Sequence, residues 1–207
     1  MKKYIALLAG GLLFLLSGCG SAADQSTVSI DNKGRVTAET VESFEKSYYD
    51  FEELEETVSQ AVSEYNSQQD EEKIKIKTCK EDSKKAQVRV TLQYDSCKDY
   101  QDFNQRQLYR GTVAEASKTY DFDIAFLDRK GEEADVKTIQ ADYSQAGIII
   151  LQEPVAVTVP EDILYVSDNV KILGDRKAQV TNDGNQDNEN ADTSIYEYAY
   201  IIYLNEK

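Results

Sequence analysis

Apolar residues in this chain recur at two spacings, and the distribution of the two limits the folds open to it. Only one run keeps a helical period over several turns. Phe51, Leu54, Val58, Ala61, Val62 and Tyr65 fall on one face of an α-helix. Asp50, with Glu53 three residues on, predicts a capping-box-like start. Glu52, Glu53, Glu55 and Glu56 crowd the first turn, where the helix dipole favours negative charge. Elsewhere apolar residues mostly alternate with polar ones in short runs bounded by Asp, Asn, Gly or Pro, the pattern of half-buried strands. The expected class is α+β: a mainly antiparallel sheet built from hairpins, packed by one long amphipathic helix and one or two short ones.

The runs can be placed individually. Thr27 to Ile30 and Arg35 to Glu39 flank the turn-rich quartet Asp31-Asn32-Lys33-Gly34, which predicts a hairpin. A second hairpin pairs Ile74, Ile76 and Thr78 with Val88, Val90, Leu92 and Tyr94 across a turn at Glu81 to Lys85. Lys73, Lys75, Lys77 and Lys80 fit the solvent face of its first strand. Ser96 with Asp99, and Thr112 with Glu115, predict caps of short helices, the second covering Val113 to Tyr120, with Tyr109-Arg110-Gly111 as a break between them. From Phe122 the pattern turns to β: Ile124 to Leu127, Ala134 to Ile139, and the wholly apolar Ile148 to Leu151, expected to be buried on both faces. Short strands follow at Val155 to Val159, Ile163 to Val166, Val170 to Leu173 and Ala178 to Val180. Residues 181–194 offer nothing larger than alanine to a core apart from polar side chains, and read as a mobile loop. Tyr196, Tyr198, Tyr200 and Ile202 alternate as a last strand. A composition shift near Asp142 marks an alternative boundary, but a single domain over 27–207 is the favoured reading.

The N-terminus sets the location. Lys2 and Lys3 precede an apolar stretch, Ile5 to Leu16, too short for the roughly 20 residues of a spanning helix. It ends in Leu16-Ser17-Gly18-Cys19, which resembles a bacterial lipobox. The expectation is a signal peptide at 1–18, cleavage between Gly18 and Cys19, lipidation of Cys19, and a small polar tether over 19–26. The folded body would then face the extracytoplasmic side of the cell membrane, with the membrane as partner through the anchor. Two acyl chains, at roughly 0.8 kcal/mol per buried CH₂, would hold it stably. Losing Lys2 and Lys3 with the signal takes the net charge from −15 to −17. Such an acidic body disfavours nucleic acid as a partner.

Candidate chemistry is sparse. The chain has no histidine, which removes Ser-His and Cys-His machinery and imidazole-based zinc sites. No phosphate-binding glycine loop, nucleophile elbow or HExxH motif occurs, so no cofactor, metal site or catalytic residue is assigned. Asp183, Asn185, Asp187 and Glu189 alternate like a calcium loop, but the positions that require glycine and glutamate hold Asn188 and Ser194. Asp121 and Asp123 form a carboxylate pair that fits a solvent face equally well. With Cys19 lipidated, Cys79 and Cys97 remain for a disulfide. Strand parity puts Cys79 with Lys75 and Lys77, away from Ile74 and Ile76, while Cys97 sits near a helix start, so a simple hairpin would not bring them face to face.

Four segments together resemble a family of small, functionally uncharacterised lipoproteins of anaerobic Gram-positive bacteria. Besides the lipobox, they are Val36-Thr37-Ala38-Glu39-Thr40-Val41-Glu42-Ser43-Phe44 leading into residues 48–54, the run Gly111 to Ala116, and the run Tyr165 to Lys171. The resemblance implies a lipid-anchored, single-domain protein and carries over no catalytic residue. The expected function is a binding or structural module of the cell envelope, its protein or glycan partner open. The alternatives are a carboxylate-dependent glycan hydrolase and a solute-binding lipoprotein serving a transporter, the latter weakened by the absence of βαβ alternation.

Overall fold

The computed structural model describes residues 25–46, 48–181 and 197–205. They form an α+β fold with two mostly antiparallel sheets and four helices. The chain divides into two units, with the division falling inside the first strand, β1 (Thr27–Ile30). The expected signal peptide, most of the tether and the 181–194 loop beyond Thr181 lie outside the described residues.

The first unit comprises residues 25–28 and 35–105. Its strands β2 (Val36–Ser43), β3 (Ile74–Asp82) and β4 (Gln87–Tyr94) form an antiparallel ladder in the order β2-β4-β3. Helix α1 (Phe51–Ser67) begins where Asp50 accepts hydrogen bonds from the backbone N–H groups of Glu52, at 2.9 Å, and Glu53, at 3.3 Å. Val58 and Val62 from its apolar stripe are buried. At its other end the Asn66 side chain accepts from Lys73 N and Ile74 N and donates to Ile74 O, tying the last turn to the start of β3. Ser96 caps the short helix α2 (Cys97–Asn104), accepting from Asp99 N at 3.1 Å.

β3 is not a regular strand. Ile76 faces Leu92 and Thr78 faces Thr91, so Lys77 is an extra residue, a bulge. Side chains alternate strictly along a strand, so one added residue exchanges the faces beyond it. Ile74 and Ile76 lie in register with Tyr94 and Leu92; past the bulge Cys79 and Glu81 take over that face, in register with Val90 and Val88. The expected parity of Cys79 with Lys75 and Lys77 is therefore corrected.

The second unit comprises residues 29–34 and 106–205. Six strands run in the order β5 (Leu108–Thr112), β8 (Gly147–Leu151), β13 (Ala199–Tyr203), β10 (Ile163–Ser167), β6 (Phe126–Asp128) and β7 (Glu133–Ala134). β9 (Ala156–Thr158), β12 (Lys177–Val180) and β11 (Val170–Ile172) form a shorter antiparallel ladder. Every residue of β8 and β13 is buried, because each is paired on both sides and covered on both faces. Hence the alternation expected of the last strand gives way to burial throughout. Phe122, Phe126, Ile139, Ile148, Ile150, Tyr200 and Ile202 share one core cluster.

Three further expectations are revised. Residues 109–111 are the middle of β5, not a break; the Tyr109 ring lies back along the strand, so that a Cβ on Gly111 would stand 2.2 Å from its hydroxyl. Residues 134–139 are mostly helix α4 (Val136–Asp142), because Asp135 caps it by accepting from Thr138 N at 3.0 Å and from the Thr138 hydroxyl at 2.9 Å. The Thr112–Glu115 capping box is formed, but its helix, α3, stops at Ala116 after one turn (Val113–Ala116).

Candidate functional site

The residues assigned from sequence fall in different places. Gly18 and Cys19 lie outside the described residues, as does the Asp183 to Glu189 series. Cys79 and Cys97 are not joined by a disulfide. Cys97 opens α2, whereas the bulge turns Cys79 toward α1. Asp121 and Asp123 are both exposed, and the Asp121 carboxylate accepts from Asp123 N at 2.9 Å in a local turn. Lys75, Lys77 and Lys80 are exposed as expected of a solvent face, while Lys73 reaches Glu71 and Asp95, both at 3.3 Å.

A furrow runs beside α1 in the first unit. One stretch of about 640 Å³ is lined by Glu55, Glu56, Ser59 and Ser63 of the helix and by Ile76 and Cys79 of β3. The adjoining stretch, about 570 Å³, shares Ser59, Ser63 and Ile76 and continues past Asn66 and Ser67 to Glu72 and Ile74. The geometry has a simple origin. Ser59 and Ser63 are four residues apart, hence on one helical face, and their short side chains leave space where longer ones would close over β3. Ile76 is left 39% exposed in the floor. Burial raises the pKa of the Cys79 thiol, and the Glu55 carboxylate raises it further, so the thiol stays protonated and is a weak nucleophile. Neither serine belongs to the apolar stripe of α1. The furrow exists only because the sheet passes beside them.

One carboxylate stands apart from the rest. Glu42, on β2, is half-buried, and burial lifts its pKa from 4.5 to about 7. Its Oε1 is shielded from solvent and has no hydrogen-bond partner among the described residues. In the ladder Glu42 faces Val88, which faces Glu81 of β3 in turn. Glu81 is exposed, and Glu42 lines neither stretch of the furrow. Sequence offered no means of choosing Glu42 among 38 acidic residues.

Other polar groups are used structurally. In the second unit Glu161, 9% exposed, accepts from Asn32 Nδ2 at 3.0 Å and pairs with Arg176 at 2.9 Å. Buried Ser167 accepts from Tyr200 N at 2.8 Å and donates to Asn169 at 2.6 Å. Among the described residues no group of three or more Cys, Asp or Glu side chains is placed to hold a metal ion. Nor is any described helix long and apolar enough to cross a membrane. No family model, curated protein or solved structure matches this chain.

Proposed function

We propose that the protein is a lipid-anchored extracytoplasmic binding module of the cell envelope, its body an α+β scaffold in which α1 covers the β2-β4-β3 ladder. The observation that carries this reading is the run Leu16-Ser17-Gly18-Cys19 behind a basic and apolar leader. The furrow beside α1 is the surface we assign to a ligand. It is elongated, polar along the serine rim and apolar at Ile76, which suits an extended chain, peptide or glycan, more than a compact metabolite. Mass spectrometry of the native N-terminal peptide tests the anchor: a diacylglyceryl group on Cys19 is expected, and an unmodified Cys19, or a mature N-terminus elsewhere, refutes it. A Cys19→Ala protein that stayed fully membrane-bound would refute it equally.

Glu42 favours a second reading, a carboxylate-based glycan hydrolase, since a carboxyl with a pKa near 7 can act as a general acid. Turnover of an envelope glycan that is abolished in Glu42→Gln would establish that reading; unchanged turnover in the variant would dismiss it.

A further inference from the structure

We propose that Tyr48 and Tyr49, together with Lys46, seat the first unit on the lipid–water interface of the same bilayer that holds its anchor. The inference rests on the lipid-anchor reading above and adds to it the face that meets the membrane. It begins with where the chain enters the fold. Ser26 is 7% exposed, and its hydroxyl accepts from Val41 N at 3.0 Å. Position 26 is thereby fixed beside the C-terminal part of β2. It lies seven positions after Cys19, a reach of at most about 25 Å. That end of the unit is therefore kept close to the bilayer.

The same end carries the most exposed large aromatic side chain of the described residues. β2 ends at Ser43 opposite Gln87, and Phe44 N donates to Ala86 O at 2.7 Å, so the segment after β2 leaves from this edge of the ladder. Tyr48 is 71% exposed and Tyr49 37%. Phe44 stacks on Tyr49 with ring centroids 5.1 Å apart, and Tyr48 stands edge-on to Tyr49 at 5.0 Å. Lys46 Nζ lies 5.7 Å and 5.8 Å from the two tyrosine centroids. Phe44 thus props a pair of amphipathic rings with an ammonium beside them. Tyrosine rings settle at headgroup depth, and an ammonium there meets lipid phosphate.

Charge selects the kind of surface. Lys84 and Lys85 lie on the β3–β4 turn, but Glu45, Asp50, Glu52, Glu53, Glu81 and Asp82 surround the same end. The contact is therefore one of ring insertion into a zwitterionic interface rather than attraction to anionic lipid. It need not be strong, because the anchor holds the face at high effective concentration. The opposite end of the unit is equally defined. α1 starts beside the tyrosines and runs 17 residues, about 25 Å, to the Asn66 contacts with β3, and exposed Asp70 follows.

The chain contains no tryptophan, so a single introduced one reports unambiguously. Tyr48→Trp and Asp70→Trp would each be made in the full-length lipidated protein and reconstituted into phosphatidylcholine vesicles with bromine in the upper acyl chain. The expected result is that both proteins float with the vesicles, that emission from position 48 is blue-shifted and quenched, and that emission from position 70 is neither. Adding Tyr49→Ser and Lys46→Ser to the Tyr48→Trp protein should relieve the quenching. Flotation without quenching at 48, or equal quenching at 48 and 70, overturns the docking face while leaving the anchor intact. Failure of the native lipoprotein to float overturns the anchor and the docking face together.

Discussion

Glu42 gives the protein a pH dependence of unusual sign for a carboxylate. Its pKa is raised in the fold, so the folded state holds the proton more tightly than the unfolded chain does. Stability then falls as pH rises from about 4.5 through about 7 and levels off above. A shift of this size would be worth about 3 kcal/mol at full burial; partial exposure and screening reduce it to about 1–2 kcal/mol. Glu115, Asp128 and Asp135 work in the other direction. Thr112 N–H, Glu132 N–H and the Thr138 hydroxyl hold their carboxyls below the ordinary range, so their contribution fades only in stronger acid. Glu42→Gln should therefore flatten urea midpoints between pH 5 and 8 and raise stability at pH 8 by about 1–2 kcal/mol. Equal pH slopes in variant and wild type would contradict the assignment. Gly147 poses a steric case. A Cβ there would lie 2.3 Å from Cζ of Tyr203, its cross-strand partner, and that ring is 2% exposed. Gly147→Ala is expected to cost about 1–3 kcal/mol in a denaturation series, as overpacking does, whereas Gly174→Ala, with open space around it, should cost far less.

At the scale of elements, legibility followed how local each signal was. α1 could be read because stripe, cap and acidic first turn agree, and Asp50 caps it where expected. The caps of α2 and α3 were legible for the same reason. Residues 134–139 were misread because a short apolar run looks alike as helix or strand, and the Asp135 cap went unweighed. β5 was missed because Arg110-Gly111 carries a turn residue whose space is filled by Tyr109. The face of Cys79 could not be read at all: the bulge at Lys77 shows only in the pairing of β3 with β4. Of the candidate site, the residues of the furrow were visible one by one but their juxtaposition was not. The bulge also predicts thiol behaviour. Cys79 should alkylate at pH 8 more slowly than an unperturbed thiol, and Glu55→Gln should speed it up several-fold by removing the nearby negative charge. Peptide-resolved alkylation rates would decide this; no acceleration in Glu55→Gln would remove Glu55 from the account.

For the whole molecule, chain order matters as much as composition. Residues 29–34 belong to the second unit, although the first unit both precedes and follows them in sequence. Within that unit the Asn32 amide bonds Glu161, 129 positions away, and the Asn32 carbonyl accepts from Arg110 at 3.3 Å. Asn32→Ala should lower stability by about 1–2 kcal/mol, because Glu161 would lose a partner inside a largely dry site. A variant as stable as the wild type would show that water replaces the amide. The interleaving has a temporal consequence. A chain made N-terminus first delivers Asn32 early and Glu161 only after three quarters of its length, so the second unit stays incomplete until most of the chain is available.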